Sequence, residues 1–249
     1  MEWEARRPTS RLWQRPARRA LLALCLWLTG PAASAQTINS ASYTDPTTRY
    51  AHGVLGDSIE HATLVLQLSD GSQRRYSLPE SSVFEDTAPR LVDVTGDGAP
   101  ELITVESDQT LGARLAVYDA NGLLVATPYI GTRFRWLAPL GAADFDQDGQ
   151  IELAYVDRPH LAKTLRVWRF ENNSLTEIGS LVGLTNHRIG EKDIAGGIRS
   201  CGRGPEMILA TANWSEIVAV TFGPQGFDAK AISDDTSRAS FARAMTCAF

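Results

Sequence analysis

Beyond residue 35 the chain has no long apolar run, almost no helical periodicity and few of the side chains that most catalytic chemistry uses. The first absence argues against a membrane-spanning segment in that region. There is no G-x-S-x-G, no H-E-x-x-H and no glycine-rich phosphate loop, which removes the readable signatures of serine hydrolases, zinc proteases and phosphate-binding enzymes. The four histidines, His52, His61, His160 and His187, are scattered without metal-ligand spacing. Positive charge is also scarce. Residues 36–249 carry 18 basic and 27 acidic side chains, a net charge of −9, which argues against a nucleic acid or an anionic membrane surface as partner.

The first 35 residues read differently. Six arginines between Arg6 and Arg19 precede the apolar run Ala20–Leu28, and a Pro and the small residues AASA follow. This is the pattern of an export leader cut after Ala35, with an N-terminal membrane anchor as the alternative. Cys25 follows Leu24, where a lipoprotein needs a small residue, and Arg18-Arg19 only weakly matches a twin-arginine signal. The expected mature product is one domain over 36–249, periplasmic or secreted. Of three cysteines, Cys201 and Cys247 then remain. An even pair in an oxidising compartment predicts a disulfide, with two buried thiols as the alternative.

What is abundant is strand language. Short segments rich in Val, Ile, Leu, Thr and Tyr recur at 62–68, 101–106, 114–118, 152–156, 164–170, 206–210 and 217–222, with turn residues between them. RFRWLAP, residues 133–139, reads as a further strand with Phe134 and Trp136 inward. The segments also repeat. LVDVTGDGAPEL at 91–102 aligns with AADFDQDGQIEL at 142–153, an offset of 51 residues. A third copy leads to Glu206, 54 residues after Glu152, and a degenerate earlier copy runs from Tyr50 to Ser77. A fixed period of about 50 residues with about four strands per unit predicts an all-β fold, a small β-propeller of about four blades. Such a ring either closes or stays open and leans on a partner or a second copy.

The repeats carry acidic turns. Asp144, Asp146, Asp148 and Glu152 crowd four like charges into nine residues, so they either point apart into water or surround something positive. Gly149 permits the sharp backbone turn, and the carbonyl of Gln150 supplies a further oxygen. An all-oxygen set without His or Cys suits a hard cation, Ca²⁺ above Mg²⁺. The acid at position 9 and the flanking strands exclude an EF-hand.

D-x-D-x-D-G-x-x-[DE]-L between strands, once per unit, resembles the FG-GAP or VCBS repeat of integrin-alpha-type propellers, over about Ser82 to Phe222. The resemblance implies a propeller with Ca²⁺ in loops at one rim. Carried over residue by residue, it implies one strong site at Asp144, Asp146, Asp148, Gln150 (carbonyl) and Glu152. It also implies a weaker one at Asp93, Thr95, Asp97, Ala99 (carbonyl) and Glu101, where Thr95 replaces a carboxylate. The third copy, from Asp193 to Cys201, lacks the acidic ladder and is expected to hold no ion, a Cys201–Cys247 disulfide pinning it instead.

Two functional classes follow. One is an exported, non-catalytic binding scaffold for a protein or glycan. The other is a polysaccharide hydrolase or lyase, which needs two converging carboxylates away from the metal loops, such as Asp157 and Glu191.

Overall fold

A computed structural model describes Met1 and residues 36–249. The expected leader otherwise lies outside the described residues. Regular structure among the described residues is almost entirely strand, in three antiparallel sheets. The first has eight strands: β1 (Ile38–Thr47), β2 (Glu60–Leu68), β3 (Gln73–Ser77), β4 (Ser82–Phe84), β5 (Arg90–Val92), β6 (Glu101–Asp108), β7 (Gly112–Asp119) and β8 (Gly122–Ala126). The second has four: β9 (Leu137–Ala143), β10 (Ile151–Asp157), β11 (Thr164–Glu171) and β12 (Ser174–Val182). The third has five: β13 (Leu184–Thr185), β14 (Gly197–Ser200), β15 (Pro205–Thr211), β16 (Ile217–Gly223) and β17 (Gly226–Ser233). One short helix among the described residues, α1 (Arg238–Met245), follows the last strand, with the Ser237 side chain accepting from the Ser240 amide as its N-cap.

The seven strands read from apolar runs are present as β2, β6, β7, β10, β11, β15 and β16, each with buried residues at consecutive positions. Four separate blades are not. Two repeat units share one sheet, because β4 pairs with β2 at His61↔Phe84 on one side and with β6 over Ser82–Phe84 on the other. The earliest unit also begins sooner than Tyr50, with β1. That strand contains Pro46 and pairs only with β2, the edge position a proline tolerates. RFRWLAP is only in part a strand. β9 starts at Leu137, and Phe134 stands in the preceding turn at φ 55°.

Side-chain alternation explains how the sheets stack. On β6 and β7, Ile103, Val105, Leu115 and Val117 point one way and meet Leu137, Leu153, Tyr155 and Trp168 of the second sheet. Leu102, Ala116 and Tyr118 point the other way and meet Leu64, Leu66 and Phe84 of the first unit. The far face of the second sheet, with Val156, Leu165 and Val167, packs on Met207, Leu209 and Val220 of the third. Beyond that, Ile208, Ala210 and Ile217 are covered by Phe241 and Ala244 of α1. The second sheet is thus covered on both faces by neighbouring sheets, while the first packs partly on its own strands and the third is closed by α1, a propeller-like stack.

Candidate metal centre

Both acidic loops join the two strands of a tight antiparallel pair. Residues 93–100 link β5 to β6, and residues 144–150 link β9 to β10. Pairing of Val92 with Glu101, and of Ala143 with Glu152, returns each glutamate to the side of the first loop aspartate. Gly98 and Gly149 take φ of 87° and 93°, a conformation that a Cβ would resist.

In the second loop the backbone sets the carboxylates before any cation is considered. Asp144 accepts from the amides of Asp148 at 3.0 Å and Gly149 at 2.9 Å. Asp148 accepts from the Gln150 amide at 2.9 Å, and Glu152 Oε2 from the Phe145 amide at 2.8 Å. One oxygen each of Asp144, Asp146 and Glu152 then lies within 4.8 Å of the others. Among the described residues this is the only such trio of acidic, His or Cys groups.

The positive charge between them comes from the chain itself. Arg169, opposite Glu152 on β11, sends its guanidinium into the loop. It contacts Asp146 Oδ2 at 2.6 Å, Asp148 Oδ2 at 2.8 Å and Glu152 Oε1 at 2.7 Å. Burial pushes Glu152 above the ordinary carboxylate range, while the Phe145 amide and Arg169 pull it back. Arg169 does not complete the set. Asp146 Oδ1 is buried without a hydrogen-bond partner, a costly position for a carboxylate oxygen. An orphan acidic oxygen inside a ring of hard donors fits a divalent cation, so Asp144, Asp146 and Glu152 form a cluster able to hold one. Asp148 belongs to the guanidinium's contacts and stands outside the converging trio.

Among the described residues no such guanidinium reaches the first loop. Asp93 accepts from the amides of Gly96 at 2.7 Å and Gly98 at 2.9 Å, and Asp97 from that of Ala99 at 2.8 Å. Glu101 accepts from the amides of Val94 at 2.7 Å and Thr95 at 3.0 Å, and the Thr95 hydroxyl also turns to it at 3.3 Å. Its acids are largely satisfied by the turn.

In the third copy the expected loop from Asp193 to Cys201 is instead partly strand, because Gly197–Ser200 is β14; the loop before the glutamate is only residues 201–204, and Cys201 is bonded to Cys247. Its glutamate, Glu206, pairs with Arg199 at 2.7 Å, directly across β14 and β15. Three equivalent glutamates thus have three different compensators: backbone amides for Glu101, an amide and a guanidinium for Glu152, and a guanidinium alone for Glu206. Asp157 and Glu191, the pair a polysaccharide-cleaving site would need, are not brought together. Asp157 is held by Arg158 and Arg166, and Glu191 by Arg238 and Arg188.

Arg169 is the site residue that sequence reasoning misses. On its own it reads as the solvent side of an alternating strand beside Trp168. The available signal is register. Folding β10 back onto β11 puts Arg169 opposite Glu152, and a charge directly across from an acid is a pair.

Residues 93–155 match the family model described as an FG-GAP-like repeat, a span that opens on Asp93 and takes in both acidic loops. No curated protein matches the chain significantly.

Proposed function

We propose that this FG-GAP-repeat chain is an exported, non-catalytic binding scaffold, a propeller-like stack of four repeat units braced by Ca²⁺ and presenting one rim to a protein or glycan. The observation that carries the calcium reading is the convergence of Asp144, Asp146 and Glu152 around the unpartnered Asp146 Oδ1. Bound there, the ion would supply charge neutralisation that Arg169 gives only from one side, with Asp148 and the Gln150 carbonyl as further ligands. The first loop, one carboxylate poorer at Thr95, would bind more weakly.

The Cys201–Cys247 disulfide supports an oxidising compartment, as does the leader pattern over 1–35. No described helix is long and apolar enough to cross a membrane. The four units are read as two in the first sheet and one in each of the others. Because α1 covers the far face of the last sheet, the stack is read as an open arc. Rigid loops on such a frame suit recognition.

The test is thermal melting of the processed protein in EDTA, then with added Ca²⁺ or Mg²⁺. A melting point several degrees lower in EDTA and restored by Ca²⁺ in preference to Mg²⁺ is expected. Asp146→Asn should abolish most of that response, and Asp97→Asn little of it. Identical melting in all three conditions would remove the calcium brace.

A further inference from the structure

The end of the second sheet away from the acidic loop holds a cleft of about 250 Å³. Trp136 precedes β9 and Arg158 follows β10, so both lie at the opposite strand ends from Asp144 and Glu152. Seven residues of strand, roughly 20 Å, separate the two places. We propose that this cleft binds the C-terminal residue of a peptide, or the same group on a free N-acylated amino acid: a carboxylate, an N–H donor and an apolar or aromatic side chain. The proposal rests on the reading of the chain as a binding scaffold and names the rim and the ligand class.

The polar groups are few, and His52, Arg135 and His160 each keep hydrogen-bonding capacity beyond their contacts within the protein. His52 lines the cleft with Nδ1 fixed 2.6 Å from Glu85 Oε1, which leaves Nε2 for a ligand. Glu85 is fully buried and also accepts from Ser107, and Trp136 Nε1 donates to its backbone carbonyl at 2.8 Å. Burial pushes Glu85 above the ordinary carboxylate range while its contacts with His52 and Ser107 pull it back, and those contacts hold the imidazole in place at the cleft wall. Arg135 has no carboxylate partner among the described residues and gives one nitrogen to the Phe134 carbonyl. In a protein with excess negative charge, no acidic residue lines this cleft. Arg135 therefore favours a carboxylate, with His52 Nε2 as a second polar contact beside it.

His160 contributes the opposite polarity. The other ring of its pair, His187, sets Nε2 2.9 Å from the Glu191 carbonyl, so that nitrogen carries the proton and His187 Nδ1 accepts. His160 Nε2, at 3.0 Å, must then donate to it, and His160 Nδ1 is left as an acceptor. Burial and the neighbouring His187 push His160 down to about 4, which keeps it neutral. A ligand N–H answers that acceptor.

The remaining walls are apolar. The ring of Phe134 stacks on His52 at 5.1 Å, and Trp136 forms part of the lining. The volume suits one side chain better than a larger ligand. Leu161 and Ile189 stand at the lining, 63% and 72% exposed, where preceding peptide residues would cover them. Phe134 and Arg158, both lining residues, hold φ of 55° and 45°. Strained conformations of bulky residues persist where the surroundings over-determine them, and they cluster at functional sites.

The experiment is fluorescence anisotropy of short, N-terminally labelled peptides ending in Phe, Leu or Val, each as the free acid and as the C-terminal amide, with N-acetyl-phenylalanine as competitor. Saturable binding of at least one free acid is expected, weakened about tenfold or more by amidation and by Arg135→Gln. Arg135→Gln should keep the parent melting point and its response to chelator, which separates lost binding from lost folding. Competition by N-acetyl-phenylalanine equal to the peptide identifies the free amino-acid derivative as sufficient, and weaker competition assigns the peptide. Absence of saturation for every free acid, or equal binding of acid and amide, overturns the proposal. Binding in a protein insensitive to calcium would sink only the calcium brace. A calcium-stabilised protein that binds none of the acids would sink only the cleft.

Discussion

Arg169 and Glu152 face each other across neighbouring strands, guanidinium to carboxylate at 2.7 Å, although 17 residues of chain separate them. The Glu152 side chain has no exposure to solvent, so its charge is tolerable only because it is met at close range. The planar fork of arginine also reaches Asp146 and Asp148.

Replacing Arg169 with Gln leaves three acids facing one another. In EDTA this variant is expected to lose about 3 kcal/mol in urea unfolding, the usual cost of breaking a buried pair. Added Ca²⁺ should recover more stability in the variant than in the parent, since an ion takes over neutralisation. Equal calcium gains in both proteins would show that guanidinium and ion do not share the same charges.

The Cys201–Cys247 bridge closes a separation of 46 residues. Chain-entropy reasoning gives such a loop about 4 kcal/mol, and removal by Cys201→Ser with Cys247→Ser is expected to cost about 2–4 kcal/mol. Because Cys247 directly follows α1 and its cap residue Thr246, the helix should loosen with the bridge. Limited proteolysis would then cut within 234–249 first. Unchanged cleavage there would mean that Phe241 and Ala244 hold the helix by packing alone.

Glu60 is buried at the start of β2, with Oε1 lacking a hydrogen-bond partner. Burial first, then repulsion from Glu85, Asp57 and Asp86, pushes it up to about 9, so it is protonated at neutral pH. The unfolded chain ionises this group near the ordinary value while the folded one resists. Its drag on stability is therefore absent below about pH 4.3 and grows as pH rises towards 9. Glu60→Gln should gain on the order of 2 kcal/mol over the parent at pH 8 and almost nothing at pH 4. A difference independent of pH would contradict this assignment.

The His160–His187 pair acts in the other direction. Burial lowers both, His160 to about 4. Their contribution is complete above pH 6.5, where neither state is protonated, and is lost as pH falls from 6.5 towards 4. His160→Gln keeps a donor for His187 and removes one titration. Its stability relative to the parent should rise by about 2 kcal/mol between pH 7 and pH 4.5. A flat difference in denaturation across that range would count against the pair.

The longer strands with both faces buried, such as β6 and β11, are legible because covered strands read as apolar runs. β4 and β5, three residues each, carry too little pattern to read, and β1 hides its strand character behind Asp45-Pro46. The acidic loops and their spacing are local, so the aspartates at 93 and 144 could be placed from the repeat alone. Arg169 and the cleft depend on which strands lie side by side. Phe134 shows the limit most clearly. Its alternation with Trp136 suggested an inward strand position, yet it turns back at φ 55° to stack on His52, whose place is set by a loop some 80 residues earlier, where the Tyr50 hydroxyl accepts from the Phe134 amide.

The double pairing of β4 has a mechanical consequence. It stitches the first two units through a strand ladder, whereas the second and third sheets meet their neighbours chiefly through apolar side chains, with isolated hydrogen bonds such as the Ala113 amide to the Arg135 carbonyl and the Leu184 amide to the Lys163 carbonyl. Amide protons of β2 and β6 should therefore exchange with deuterium as one cooperative block. Under load the molecule should part between sheets, leaving that stitched half to give way last.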